Sequence, residues 1–426
     1  MELRDYQKNG AQQIVELLST LKIAVLVWQP RCGKTLAALE GAKLYGAQDV
    51  LFVTKKKAIS NIESDYNNLG YAYNLTVTNY ESLHNFVDKK FDLVIADEVH
   101  TCAGFPKPAV RTTHLKEIAK GKPVILISAT ITPESYSQIY HEFYISSFSP
   151  FAEYKNFYAW FKDFGYPKKR YVFNRELNDY SHSKEEKIKE VVGKYMITMT
   201  QEQAGFNQEI KEEVIRIRMQ DSTYWLAKKL IAKKIHIGKD GSELVADTEV
   251  KLRQKLHQIY SGTVKCEDGT TQIFDISKAT FIKQHFAGKK IAIYYQYIGE
   301  GEMLRRAFGS AITESPEVFN ESDNRVFISQ IQSGREGVNI ATADCMIMFN
   351  IGYSSVSYQQ ARERIQDKNR KKEALLYWIF ADEGIEHNIY KVVSNKKDYS
   401  MRWFLKDFGI KKQPNVITKE PAAIAH

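Results

Sequence analysis

Cysteine is scarce in this chain. The four residues, at 32, 102, 266 and 345, show no paired metal spacing and no disulfide framework. That usage fits a reducing compartment, so a cytoplasmic location is expected. Long hydrophobic runs are also missing: none approaches the ~20 residues that a membrane helix needs. The first residues, Met1-Glu2-Leu3-Arg4-Asp5, are charged at once, which argues against a signal peptide. No solenoid-length repeat and no low-complexity tract occurs. Charge of one sign does not dominate either. Sixty Lys+Arg against 51 Asp+Glu leave a net charge of +9, a mild excess that by itself points to nucleic acid only weakly. What the chain does have is 43% hydrophobic residues over 426 positions, enough for sizeable cores and two to three domains.

Residues 1–145 alternate short apolar runs with polar helical stretches. The runs are 23–27, 50–54, 75–77, 93–96 and 124–127. This alternation predicts an α/β lobe with a parallel sheet covered on both faces, and it puts function at the carboxyl ends of the strands. A second alternating block, 246–412, predicts strands at 291–295, 325–329, 345–350 and 375–380. Helices are expected around 250–260, 277–287, 299–308 and 355–366. Between the blocks, 146–245 reads as a mainly helical bridging insertion. Residues 413–426 read as a flexible tail.

The motifs fall where strands end. Gln29-Pro30-Arg31-Cys32-Gly33-Lys34-Thr35 follows the run Val25-Leu26-Val27-Trp28. It reads as a phosphate-binding loop opening a helix: glycine for close approach of backbone N–H groups, lysine for phosphate charge, a hydroxyl for Mg²⁺. Asp97-Glu98-Val99-His100 closes the run 91–96. Two acids there need a positive partner. Asp97 with Thr35 suits Mg²⁺, and Glu98 suits the attacking water. Ser128-Ala129-Thr130 ends a third run and can bond the acids and His100; it can equally cap a helix before Pro133. Lys55-Lys56-Lys57 is either an exposed charged loop or a contact to nucleic-acid phosphates. The aromatics of 148–171, with Lys168-Lys169-Arg170, either form core between the lobes or stack bases.

This ordered set resembles superfamily 2 helicases and translocases, in their Swi/Snf-like branch. Leu3-Arg4-Asp5-Tyr6-Gln7 is similar to that branch's adenine-reading motif, which implies roles for Arg4 and Gln7. Residues 52–57 resemble motif Ia, and Thr78-Asn79-Tyr80-Glu81 resembles motif Ib. The tetrad 97–100 corresponds to motif II and 128–130 to motif III. Residues 291–294 resemble motif IV, Ser333-Gly334-Arg335-Glu336-Gly337-Val338-Asn339-Ile340 motif V, and Gln360-Ala361-Arg362-Glu363-Arg364 motif VI. Gly384-Ile385-Glu386-His387-Asn388-Ile389 resembles a helix particular to the branch.

The resemblance implies two RecA-like lobes in tandem with ATP and Mg²⁺ between them. Nucleotide contacts are implied for residues 29–35, Gly337 and Asn339. Coupling roles are implied for His100, Ser128, Ala129, Thr130 and Gln360. Nucleic-acid contacts are implied for Lys55, Lys56, Lys57, Thr78, Tyr80, Ser333 and Arg335. The expected catalytic set is Lys34, Asp97, Glu98 and a lobe 2 arginine. Three departures stand out: Trp28 and Arg31 replace small residues of the phosphate loop, and Asp367 replaces motif VI's second arginine. Arg364 is then the first candidate to reach the γ-phosphate and Arg370 the second, with Arg362 or Arg335 assisting. The implied function is an ATP-dependent DNA translocase or helicase acting as a monomer on duplex, forked or four-way DNA. Compact chains of this kind resemble bacteriophage helicases, which implies fork remodelling or branch migration in the host cytoplasm. An RNA-directed unwinding ATPase and a DNA-binding scaffold without turnover are the alternatives.

Overall fold

The computed structural model describes residues 2–129, 132, 135–172, 175–206, 210–238, 240–331, 340, 342–365, 370 and 372–395. The first lobe is a six-stranded parallel sheet: β1 (Ile23–Trp28), β2 (Asp49–Thr54), β3 (Asn74–Asn79), β4 (Leu93–Asp97), β5 (Val124–Ser128) and β6 (Met196–Met199), in the order β3-β2-β4-β5-β1-β6. Its strands are apolar on both sides because both faces are covered. Val25, Leu51, Val53, Val94, Ala96 and Leu126 face one core. Their neighbours Leu26, Val50, Phe52, Ile95 and Ile127 face the other. A period of two thus divides one apolar strand between two cores.

The second lobe repeats the plan with β7 (Ile210–Ile217), β8 (Ile291–Tyr295), β9 (Ile312–Thr313), β10 (Val326–Gln330), β11 (Cys345–Met348) and β12 (Ala374–Ala381). The order is β9-β10-β8-β11-β12-β7, again all parallel. The chain therefore has two parallel α/β lobes in tandem.

The bridging segment departs from the sequence reading. Residues 146–245 are not mainly helical. They carry helices Phe157–Phe164, Glu185–Val192 and Asp221–Lys233, but also a hairpin of Lys168–Val172 with Arg175–Asp179 and another of Ile235–Ile237 with Glu243–Val245. They also supply β6 to lobe 1 and β7 to lobe 2. The chain thus passes between the sheets after Met199, and lobe 2 begins at Ile210 rather than near 246. The physical reason is local. Lys211-Glu212-Glu213 breaks the apolar pattern of β7, while eight ladder pairs with β12 hold it in the sheet. The expected tail, 413–426, lies outside the described residues. No helix among the described residues is long and apolar enough to cross a membrane.

Candidate active site

The phosphate loop joins β1 to the helix Lys34–Tyr45. Arg31 has φ +64° and Gly33 φ +79°, so left-handed positions alternate along the loop and turn successive N–H groups toward one side. At Gly33 the requirement for glycine is doubled, because a Cβ there would lie 2.0 Å from Gln7 Nε2. The same Gln7 accepts a 2.9 Å hydrogen bond from the Arg4 N–H, which caps the first helix. Arg4 Nη1 reaches the Tyr6 hydroxyl at 3.3 Å. Arg4, Gln7 and the phosphate loop, far apart in sequence, are thereby brought together. Lys34 Nζ donates to the carbonyls of Trp28 (2.9 Å) and Gln29 (3.2 Å). Thr35 occupies the first turn of the same helix.

Trp28, the first departure, is fully buried. Its indole packs on Gly10, where a Cβ would come within 2.4 Å of the ring. It is core under the first helix, Asp5–Thr20. Cys32 is equally buried, with Sγ 3.9 Å from the Thr200 carbonyl. A second segment supports the loop. The Gln29 N–H donates to the Met199 carbonyl (2.9 Å), the Gln201 N–H to Gln29 Oε1 (2.6 Å), and Gln201 Nε2 to the Pro30 carbonyl (3.1 Å). Sequence reasoning missed Gln201. Its only signal is the polar run that follows a four-residue strand.

The acids sit one strand away from β5. Asp97 ends β4, and Thr54 Oγ1 donates to its Oδ2 at 3.0 Å. The register explains this contact: Val53 pairs with Ala96, so the residues after them are neighbours. The Tyr80 hydroxyl donates to the Asp97 carbonyl. Tyr80 and Thr78 are both buried, so Tyr80 braces the acidic turn. Glu98 has φ +52°, which turns its side chain away from the strand direction. Its carboxylate meets His100 Nδ1 at 3.2 Å and Lys55 Nζ at 3.6 Å. Lys55 therefore faces the acidic site, whereas Lys56 and Lys57 are exposed beside it.

His100 links two motifs. Its Nδ1 lies 3.0 Å from Ser128 Oγ as well as 3.2 Å from Glu98 Oε2. Nδ1 can share a proton with Ser128 Oγ, while Glu98 Oε2 is buried within ion-pair distance and makes no hydrogen bond among the described residues. Burial holds the His100 imidazole below its ordinary range, with Glu98 pulling the other way and Lys55 and Arg111 reinforcing burial. Ser128 is fully buried at the end of β5, and Ala129 follows it. Thr130 lies outside the described residues, as do Ser333, Arg335, Gly337, Asn339 and the side chain of Gln360.

Lobe 2 sorts its arginines. Arg362 Nε donates to Glu212 Oε2 at 2.9 Å. Glu212 also accepts from the Tyr358 hydroxyl (2.9 Å), Trp378 Nε1 (2.6 Å) and the Tyr390 hydroxyl (3.1 Å). Arg370 Nη2 donates to the carbonyls of Ala343 (2.8 Å) and Glu373 (2.8 Å), which ties the start of β11 to that of β12. Arg364 differs. Its guanidinium stacks 4.7 Å from the ring centroid of Tyr294, on β8. Burial pushes the Tyr294 phenol up, and the positive charges of Arg364 and of Arg31 from the phosphate loop both pull it down. Glu212 was not marked by the sequence, because a carboxylate in a charged run carries no local signal, and Tyr294 was marked only as the end of the run 291–294 that resembles motif IV.

No cluster of three or more His, Cys, Asp or Glu suited to a metal occurs among the described residues. One carboxylate and one hydroxyl, Asp97 and Thr35, is still a donor set that suits Mg²⁺, which keeps several waters and takes phosphate oxygens.

No family model matches the sequence. A stretch of 92 residues, 21% of this chain, is 26% identical to a protein described as an uncharacterized ATP-dependent helicase of Mycoplasma pneumoniae. It spans only 9% of that protein's length. Two solved structures of the Sulfolobus solfataricus SWI2/SNF2 ATPase core are similar in outline. The core in complex with double-stranded DNA has 14% identity and a TM-score of 0.42, with 93% of this chain and 91% of that chain covered. The core domain has 14% identity and a TM-score of 0.43, with 97% and 91% covered.

Proposed function

We propose that this chain is an ATP-hydrolysing motor that acts on DNA. The observation that carries the reading is the cluster at the strand ends of lobe 1, where Gln7 lies against Gly33 of the phosphate loop and Glu98, next to Asp97, meets His100 and Lys55. A phosphate loop and two acids on lobe 1, closed upon by the buried Arg364 of lobe 2, suit phosphoryl transfer. Lys34 leaves its loop carbonyls for the outer phosphates. Glu98 orients a water whose oxygen attacks the γ-phosphorus as the bond to the β-phosphate oxygen breaks and ADP departs. Mg²⁺, when bound, neutralises phosphate charge, and Thr35 and Asp97 are its protein donors. Gln7 and Arg4 receive the adenine beside Gly33. Arg364 stabilises the charge of the transition state, while Arg362 and Arg370 hold lobe 2 together. The contact Glu98–His100–Ser128 passes the presence of nucleotide to the end of β5.

DNA is the proposed track. Exposed Lys56 and Lys57 flank the acidic site, and the ordered motifs resemble those of Swi/Snf-like motors. Backbone tracking by these lysines is insensitive to sequence and weakens with salt. The finer reading is remodelling of forks or branch migration, in the manner of the phage helicases that the motifs resemble. ATP hydrolysis measured alone, then with blunt duplex, a four-way junction, single-stranded DNA and RNA, tests it. Stimulation by duplex or junction DNA is expected. Stimulation by RNA alone sinks the DNA reading, and no hydrolysis under any condition leaves a binding scaffold.

A further inference from the structure

The aromatic stretch after residue 148 divides by burial. Phe151, Phe157, Trp160, Phe161 and Phe164 are core, whereas Tyr166 is 52% exposed. Tyr166 leads into the hairpin Lys168–Val172/Arg175–Asp179, a two-stranded arm that belongs to neither large sheet. The base of the arm is closed by an antiparallel bridge of Gly165 with Ser183 and by the Tyr166 N–H donating to the His182 carbonyl at 2.8 Å.

The arm is mounted on the turn that follows β5. Ser135 Oγ donates to the Ser181 carbonyl and Ser137 Oγ to the Tyr180 carbonyl, each at 2.6 Å. Both serines are buried, so the mount is firm. They follow within ten residues of Ser128, whose hydroxyl meets His100 and, through it, Glu98. The arm is therefore held to the part of lobe 1 that follows β5 in the chain.

Between arm and turn lies a cleft of about 510 Å³, lined by Tyr136, Tyr166, Lys168, Ser181, His182 and Glu185. Charge of both signs surrounds it, with Asp179 across the hairpin from Lys168. Lys168 is exposed on the wall, and the Lys184 ammonium lies 5.6 Å from the Tyr166 ring centroid. The Glu185 carboxylate is matched by Lys189 at 2.6 Å. Exposed aromatic rings beside lysines suit a strand whose bases are unpaired, since a base offers a π-face and its phosphate a charge. Paired DNA presents no free base face to such a ring.

We propose that the cleft at the base of the hairpin, with Tyr166 and Lys168, forms a second nucleic-acid contact, which takes the unpaired strand of a forked DNA. The proposal rests on the DNA-motor reading above. Fluorescence anisotropy compares a labelled fork carrying single-stranded arms with a blunt duplex, for the wild type and for Tyr166→Ala/Lys168→Ala, with ATP hydrolysis followed in parallel. Both side chains are exposed and lie outside the catalytic set. The fork affinity of the variant is expected to fall about tenfold, toward that of the duplex. Its salt dependence should flatten by roughly 0.7 log unit per log unit of salt for each lost phosphate contact. Hydrolysis stimulated by blunt duplex stays unchanged. Wild-type fork affinity in the variant overturns the hairpin assignment while the motor reading stands. Equal losses on fork and blunt duplex overturn the single-strand assignment. A wild type whose hydrolysis no DNA stimulates overturns both.

Discussion

In lobe 1 most candidates sit at or beyond a strand end: Lys34 in the loop-helix junction after β1, Lys55 after β2, Asp97 and Glu98 at the end of β4, Ser128 at the end of β5; Arg4 and Gln7, at the start of the first helix, are the exceptions. In lobe 2 the candidates are arginines that lie close together in sequence and go to different places. Arg362 goes to Glu212, Arg370 to backbone carbonyls, and Arg364 to the face of Tyr294. The first lobe builds its site from chain geometry, since parallel strands deliver their ends to one edge. The second selects among like residues by tertiary partners. A site of the first kind tolerates change in the rest of the lobe, whereas one of the second kind depends on what each arginine already holds.

That contrast can be broken at several points. The largest effect is expected at Arg364. Its change to Ala should lower turnover by about 10³–10⁵-fold and leave ATP binding intact, as read by steady-state hydrolysis and nucleotide titration. Glu98→Gln should follow, with a loss of about 10²–10⁴-fold and retained ATP-dependent DNA binding; normal turnover in that variant removes Glu98 from the mechanism. Next is stability confined to lobe 2. Lys278 and Glu386 form a fully buried pair at 2.7 Å. Glu386→Leu alone should cost about 3–5 kcal/mol in urea unfolding, and Lys278→Met/Glu386→Leu should recover most of it.

The smallest effect separates the lobes by pH. Burial pushes His141 in lobe 1 down to about 4 and His257 in lobe 2 down to about 3. Each is neutral when folded and takes up a proton when unfolded below the ordinary value near 6.5. The unfolded chain then binds more protons, so stability falls as pH drops from about 6.5. The loss from His141 is complete near pH 4, and that from His257 continues to about pH 3. Urea midpoints recorded across this range, for the wild type and for His141→Gln, check the sign. A wild-type midpoint that does not fall relative to that of His141→Gln on acidification contradicts it.

Most of both sheets was readable because a buried parallel strand is apolar throughout and short. Runs such as 23–27 and 291–295 announce themselves, and the chemistry sits at their ends. β6, β7 and β9 were hidden, β6 and β9 by their four- and two-residue lengths and β7 by Lys211-Glu212-Glu213. The lysine triplet illustrates a further limit. Lys55, Lys56 and Lys57 are alike in sequence, yet only Lys55 faces Glu98, because the register of β2 on β4 puts it there. Trp28 was read as a departure in the phosphate loop, and only its packing on Gly10 assigns it to the core.

The central claim is that Arg364, alone among the described lobe 2 arginines of this region, completes the site that lobe 1 builds. The direct measurement is single-turnover ATP hydrolysis with saturating duplex DNA for the wild type, Arg364→Lys, Arg362→Lys and Arg370→Lys, each first shown to be folded. The account predicts a collapse of the chemical step in Arg364→Lys, with the other two near wild type. A collapse in Arg370→Lys with Arg364→Lys still active contradicts it.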